Sequence, residues 1–447
     1  MAYFDLDNPG RMKETLDKNI QFFQSYIKNL LKKKERRRLG KLNVLPFPFK
    51  RASYYFPGPE IGTYTLVTGE TKHAKTAMAT YAFLLSQLWL AYTNPTFKVK
   101  YLYFNAEESK EAITDRIVCF LLNKLTDGKI RISTKDLNST VEDLKDEIEK
   151  VICSEKFQEV CKFFLSRIEF NNETHPTAID IAVNKFVEEN GTKQRGESFV
   201  TENKLTGKKV VRQHIIGYTH NDPDTFKVIF FDNFNNITPE QGQTLIQAIT
   251  EVSQTFVNAR NTYGFTIIGI QQQNSEGDSN DAFKIQKLEP SITRVQDGKK
   301  TGKDCNIALG VYCPTMKFEG LPNGDIRKEI YRGYNIKKLG TYFRSVHILI
   351  NRTGESAKAF PMFFDPLTTT FEELPPVDDE AALQTYYQRV EQFEEYKRAD
   401  MERKEAYKRT HGLSMTFIGF SKNYNKIFAK LNIKEYLCKT FHKLITH

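Results

Sequence analysis

Eight consecutive residues, Gly69-Glu70-Thr71-Lys72-His73-Ala74-Lys75-Thr76, have the types and the spacing that hold a nucleoside triphosphate. Such a loop needs backbone N–H groups free to point inward, a lysine to meet the phosphate charge and a hydroxyl for Mg2+. Gly69, Lys75 and Thr76 supply those parts. All eight residues are therefore expected to line an ATP site, with Thr76 also on the metal. One position departs from the usual pattern: Ala74 stands where a glycine is normal, and alanine is strained there if the backbone must adopt positive φ.

Three further polar groups follow apolar runs. Asp232 ends Lys227-Val228-Ile229-Phe230-Phe231, and an acid at the C-terminal edge of a central strand beside a phosphate loop is placed to hold Mg2+ through water. Glu107 follows Tyr101-Leu102-Tyr103-Phe104-Asn105, where a carboxylate would polarise the water that attacks the γ-phosphate. Glu108 is its rival, and a solvated surface charge is the plain alternative for either. Gln272, in the run Gln271-Gln272-Gln273, would touch the γ-phosphate through its amide and transmit the loss of that group. A polar strand end is the competing explanation.

Bringing these groups to one edge requires a particular order of elements. Strands are expected at 63–68, 99–105, 167–170, 227–231, 265–270, 307–312 and 345–350, where β-branched and aromatic residues cluster. Helices are expected at 76–92, 110–125, 177–189 and 239–260. That alternation predicts an α/β fold whose mostly parallel central sheet is covered by helices on both faces. The polar stretch 195–224, with its Thr206-Gly207-Lys208-Lys209 turn, breaks the rhythm and reads as an inserted hairpin.

Two extensions flank this core, which spans about 55–375. In the N-terminal one, 1–45, Leu16, Ile20, Phe23, Ile27 and Leu30 recur at helical spacing and form a single apolar face. The basic block Lys32 to Arg38 follows, then a proline-rich segment that stops the helix. The stripe must be buried on the chain's own domain or on a neighbouring subunit. In the C-terminal extension, 377–447, a charged helix is expected to 409. Beyond Leu413, Lys422, Lys426, Lys430 and Lys434 recur every four residues in a basic amphipathic tail, suited to nucleic acid, an acidic partner or the protein body.

The composition bounds the alternatives. Of 447 residues, 40% are apolar and 27% charged, which describes a globular protein with a substantial core. No apolar run reaches the roughly eighteen residues of a membrane span. The first residues carry no apolar signal core, and six cysteines without a CxxC pair argue against a metal or disulfide framework, so a cytoplasmic setting is the default. A net charge of +10 leans toward a polyanion partner, though the excess lies mostly at the two ends.

Taken in order, these motifs resemble the ATPase domain of DnaB-like replicative helicases, hexameric motors of the RecA-like superfamily. Residues 101–109 with Asp115-Arg116 look like that family's strand, catalytic glutamate and helix; 167–174 resemble the strand that precedes its second acidic motif. Val228 to Asp232 is similar to its Mg2+ strand, Gln272 with Asn274 to its sensor segment, and Lys303-Asp304-Cys305-Asn306 to the segment after its DNA-facing loop. Asn351-Arg352-Thr353-Gly354 resembles its arginine-finger turn. The resemblance implies a ring in which Arg352 reaches the ATP of the neighbouring subunit. It also implies that 12–36 is a linker helix packing on that neighbour. Ile350 stands where the family usually has a second basic residue, and the family's separate helical N-terminal domain has no room here. Reduced helicases of this kind are similar to bacteriophage replication proteins, with replication partners at either extension.

In that class the loops after the Asp232 and Gln272 strands line the channel for nucleic acid. Residues 275–304 read as a long loop carrying Lys284, Lys287, Arg294, Lys299, Lys300 and Lys303. Those cations would bind single-stranded DNA through its phosphates, independently of sequence and weakened by salt. A solvated loop without that role is the alternative. The expectation is thus an ATP-driven, ring-forming DNA helicase. Two other readings stay open: an ATP-binding switch or scaffold with weak hydrolysis, and a strand-exchange recombinase.

Overall fold

The computed structural model describes residues 9–139, 144–202, 209–274, 288–295, 299–319 and 321–411. Its strands are β1 (Tyr64–Gly69), β2 (Lys98–Asn105), β3 (Ile168–Asn171), β4 (Gly191–Glu202), β5 (Lys209–His220), β6 (Thr225–Asp232), β7 (Thr266–Gln272), β8 (Ile307–Tyr312), β9 (Ile330–Tyr331), β10 (Tyr334–Asn335), β11 (Phe343–Asn351), β12 (Lys358–Asp365) and β13 (Thr370–Glu373). Among the described residues, nine of these form one sheet in the order β13-β12-β11-β8-β1-β7-β6-β2-β3. From β8 to β3 every pairing is parallel, whereas β11, β12 and β13 run antiparallel to their neighbours.

Period-two alternation feeds two cores from the same strands. Val67, Tyr103, Phe230, Ile268 and Leu309 face one side, against helices Lys110–Leu125 and Glu155–Ser166 and the helix that follows the phosphate loop. Leu66, Leu102, Phe104, Phe231 and Ile267 face the other, against helices Pro176–Asn190 and Leu245–Tyr263. This is why Val228 to Phe231 of β6 reads as an unbroken apolar run. Burying both faces removes the sheet's interior strands from water, and each large apolar side chain so buried contributes about 1.5–3 kcal/mol.

Several expected boundaries move for identifiable reasons. The helix expected from Pro239 begins at Leu245, because Thr244 and Gln247 form a reciprocal capping box; it ends at Gly264, whose φ is 70°. Residues after Leu125, which show no clear periodicity, hold the helices Asp146–Ile152 and Glu155–Ser166. β12 and β13, also missing from the sequence reading, extend the sheet beyond β11. The insertion is a hairpin, β4 paired antiparallel with β5, rooted where Tyr218 packs on Tyr263 and Phe265.

The N-terminal helix spans Pro9–Arg38 and is tied down at its C-terminal end. There Arg36 pairs with Asp224 and donates to Asn43 Oδ1 at 3.1 Å, and Lys41 joins the same Asp224. Its apolar stripe is not docked on the chain's own domain: Leu16, Ile20, Phe23, Ile27 and Leu30 are all exposed. The C-terminal helix Glu380–His411 does dock, through Leu383, Tyr387 and Val390 and through Arg389 stacked 4.5 Å from the Phe363 ring. Beyond it, the basic tail lies outside the described residues. No helix among the described residues is long and apolar enough to cross a membrane.

Candidate active site

β1 lies between β8 and β7 and delivers Gly69 to the C-terminal edge of the parallel strands. A Cβ on Gly69 would lie 2.7 Å from the Val311 carbonyl oxygen, so only glycine lets the two strands approach here. The chain then turns with Lys72 at φ 66° and Ala74 at φ 70°, both left-handed, and enters the helix that starts at Lys75. That helix runs Lys75–Thr80, through a π-turn at Tyr81–Leu85, to Ser86–Thr93.

The eight loop residues point in different directions. Thr71 and Lys72 are exposed, while Glu70 and His73 are buried beneath the loop. Glu70 accepts from Lys317 Nζ at 2.6 Å on one oxygen and from the Arg294 guanidinium on the other. His73 Nδ1 accepts from the Cys313 N–H at 3.4 Å. Burial holds His73 down at about 4 despite the nearby Glu70 carboxylate, so its ring is neutral.

Around the loop, three strand ends converge. Asp232, at the end of β6, is buried, and one carboxylate oxygen lies 3.4 Å from the Thr76 hydroxyl. Burial, then the charges of Glu107 and Glu108, push it up to about 7. Glu107 is exposed, its backbone N–H donates to the Asp232 carbonyl at 3.2 Å, and its carboxylate accepts from Asn233. Glu108 is instead engaged by Arg116. Of the two candidate bases, Glu107 faces the site with a carboxylate not committed to a cation.

A turn the sequence reading passed over links these groups. Asn233 and Asn235 lie directly after Asp232. Asn233 Oδ1 accepts from Asn235 N–H at 2.9 Å, and Asn235 Oδ1 accepts from Gln272 N–H at 2.7 Å. The Gln272 side chain in turn donates to Thr71 Oγ1 at 2.6 Å. A chain of hydrogen bonds therefore runs from Glu107 through the asparagine turn and Gln272 to the phosphate loop. The signal for it was the run Asn233-Phe234-Asn235-Asn236, dense in side chains that bond their own backbone.

Arg352 is not brought to this edge. β11 runs antiparallel to β8 with Asn351 opposite Ile307, and Ile307 in turn lies opposite Thr65, four residues below Gly69. At about 3.3 Å per residue that is roughly 13 Å along the strand, with two strand spacings across the sheet to add. Arg352 is exposed, and its turn is braced by Asn351, which accepts from the Thr353 N–H and hydroxyl at 3.2 and 3.1 Å.

The expected nucleic-acid residues divide as well. Lys284 and Lys287 lie outside the described residues. Lys299, Lys300 and Lys303 are on a short helix, Lys299–Asp304, rather than in an extended loop, and Lys300 pairs with Asp304 at 2.8 Å. That helix is fixed through Asp304, which accepts from Ser253 at 2.8 Å, and through Asn306, which accepts from the Tyr64 N–H and from Arg260 at 2.9 Å each. Lys303 is exposed. Arg294 is not on the surface with the others: it is buried, bound to Glu70 and to the carbonyls of Asn274, Leu288 and Glu289, so its charge is spent inside the protein.

No family model matches the sequence, and a search of curated proteins finds no match either. Solved structures do match. One is a DnaB-like replicative helicase, described with its interactions with primase: TM-score 0.51, 11% identity, covering 78% of this chain and 66% of that one. Another is the ATPase domain of G40P, with TM-score 0.50 and 13% identity over 82% of this chain and all of that domain. The chain thus spans just under two thirds of the length of the first. At these identities the likeness concerns the fold, and the fold of this chain is that of a RecA-like P-loop ATPase, similar to the ATPase domains of DnaB-like helicases.

Proposed function

We propose that the chain hydrolyses ATP as one subunit of a homo-oligomeric ring, a hexamer as in DnaB-like helicases, and uses that energy to move on single-stranded DNA. The observation that carries this reading is the reversal at β11. It leaves a phosphate loop at one edge of the sheet and an exposed, braced arginine at the other, an arrangement that suits an Arg352 reaching the site of another copy. The exposed stripe of the N-terminal helix supports the same assembly, since a second subunit is what would cover it.

Within the site, Lys75 and the loop N–H groups would hold the phosphates. Thr76 and Asp232 are the hard oxygen donors that suit Mg2+, and the buried Asp232 carboxylate is a negative charge in want of a cation. Held by those two residues, Mg2+ would supply positive charge against the negative charge of the phosphates. Glu107, oriented by Asn233, would take the proton from the attacking water. Gln272 links Thr71 of the loop to Asn235 of the asparagine turn, which suits a group that reports loss of phosphate. Lys299, Lys300 and Lys303, with Lys284 and Lys287, would supply the channel cations. Replication partners would bind at the terminal extensions.

A second reading, an ATP-binding switch with slow hydrolysis, draws on Ala74. Its left-handed backbone costs an L-residue about 1 kcal/mol, and a strained loop is less free to adjust around a transition state. Replacing Ala74 with Gly separates the two. Relief of the strain is expected to stabilise the protein by about 1 kcal/mol in urea unfolding while turnover changes only a few-fold. A rise in turnover of several orders of magnitude would favour the switch.

Three experiments address the site. Glu107→Gln should bind ATP normally and lose about 100-fold or more of turnover, whereas Glu108→Gln, which forfeits only the Arg116 pair, should keep it; the reverse result reassigns the base. Arg352→Ala should lose turnover on the order of a thousandfold, and mixing it with Lys75→Ala subunits should restore activity, because each variant supplies what the other lacks. Normal hydrolysis by Arg352→Ala alone rejects the shared site.

The third uses pH. Asp232 titrates near 7 in the folded, metal-free protein against 3.8 for a free carboxyl, so the folded state binds the extra proton between those values. Stability should therefore fall as pH rises from about 4 to 7 and level off above. Asp232→Asn should remove that fall, making the variant more stable than the parent at pH 8 by on the order of a few kcal/mol, with the gap closing toward pH 4. Unfolding free energies measured in EDTA would show it; a parent no less stable than the variant at pH 8 contradicts the assignment.

A further inference from the structure

The segment Leu288–Val295 joins β7 to β8 by way of the Lys299–Asp304 helix, and its two ends are fastened to different parts of the protein. Near its start, Glu289 pairs with Arg332 at 2.8 Å, accepts from the Tyr331 hydroxyl and lies 3.8 Å from His347 Nδ1. Those contacts hold it to β9 and β11. Near its end, Arg294 turns inward. It gathers the Asn274 carbonyl at 3.0 Å and those of Leu288 and Glu289 at 3.3 Å, and with the same guanidinium donates to Glu70 of the phosphate loop. The backbone is drawn together at the same point, where Asn274 N–H donates to the Arg294 carbonyl at 2.8 Å and Gln273 bridges Val295.

Glu70 is unusual for a phosphate-loop residue in what its side chain does. Both of its oxygens are bound beneath the loop, one by Arg294 and one by Lys317 of the helix Pro314–Phe318, and all three side chains are buried. A carboxylate so engaged has nothing to offer a nucleotide. It is instead the buried counter-charge that joins the loop to two elements following β7 and β8. Such a pair resists separation, because parting it leaves an uncompensated charge out of water. The path from Gln272 to Thr71 reaches the same region, but through a single neutral bond from a half-buried side chain to an exposed one.

We infer that Glu70 and Arg294 are positioning residues that relay the state of the phosphate loop to the connection between β7 and β8. When phosphates enter or leave, the loop backbone shifts; Glu70 moves with it, and Arg294 carries the movement into the segment whose continuation bears Lys299, Lys300 and Lys303. This rests on the reading of 69–76 as a phosphate loop, and it gives the buried Arg294 a task in place of direct contact with nucleic acid. Lys317 shares the carboxylate but follows β8 in the chain, outside the β7–β8 connection, so it balances charge without carrying the relay.

Hydrogen exchange of the full chain, with and without the non-hydrolysable analogue AMP-PNP and Mg2+, tests the relay. In the parent, the analogue should slow exchange in 69–80 and also in 288–295, the latter by about tenfold. In Arg294→Gln, which keeps the Glu70–Lys317 pair balanced, 69–80 should still respond while 288–295 does not. Glu70→Gln should do the same without touching the bonds that Arg294 makes within its own segment. Lys317→Gln should respond as the parent does. A merely structural role would loosen 288–295 equally with and without the analogue. An undiminished response of 288–295 in Glu70→Gln or in Arg294→Gln overturns the relay, as does a parent in which 69–80 responds and 288–295 does not. No response of 69–80 in the parent overturns the nucleotide reading, and the relay with it. Should Glu70→Gln fail to fold, having left two buried cations without a counter-charge, Arg294→Gln with the Lys317→Gln control decides the matter.

Discussion

A carboxylate taken out of water at the end of β6 is the constraint on which the rest of the site depends. Asp232 is buried, and its affinity for a proton is raised toward neutrality by that burial and by two neighbouring acids. Burying an unpaired charge is costly, and a fold keeps one when something outside the chain completes it. Placing Asp232 beside Thr76 requires β6 to lie next but one to β1 in the sheet, with β7 between them, and the order β1-β7-β6-β2 meets that requirement. The same order brings Glu107 from β2 and Gln272 from β7 to flank it. The asparagine turn after Asp232 then holds those two groups at fixed positions.

The two edges of the sheet have different jobs in the proposed account. At one edge, six parallel strands expose their C-terminal ends and the loops that would bind ATP. At the other, antiparallel β11 returns to deliver a braced turn carrying Arg352. Between them, buried polar contacts give the fold its internal connections: Asn306 ties the Lys299–Asp304 helix to the start of β1, and the Glu70–Arg294 pair ties the phosphate loop to the end of the β7–β8 connection.

Much of this was legible in the sequence because the signals were local. A strand buried on both faces announces itself as an apolar run, and Gly69, Lys75, Thr76 and Asp232 follow from spacing to such runs. The helix Lys110–Leu125 and strand β8 have the expected bounds, and the start of the helix is set by Ser109, whose side chain accepts from the Ala112 N–H. What was missed depends on partners distant in sequence. Nothing local distinguishes Glu107 from Glu108 until Arg116 folds back on the second. Arg294 reads as one more cation in a basic loop, and only the burial of Glu70, 224 residues away, reveals where its charge goes. The direction of β11 was equally hidden, since an antiparallel strand at the end of a parallel sheet has the same composition as its neighbours. β12 and β13 were overlooked because Pro361 and the threonine-rich turn before Phe371 interrupt their patterns.

The central claim, that this fold drives movement along single-stranded DNA by hydrolysing ATP, is tested most directly by steady-state ATP turnover as single-stranded DNA is added. The account predicts turnover that rises to saturation with DNA, and a half-saturating concentration that increases steeply with salt, as phosphate-directed binding requires. ATP bound at full stoichiometry with turnover indifferent to DNA at every salt concentration would contradict it.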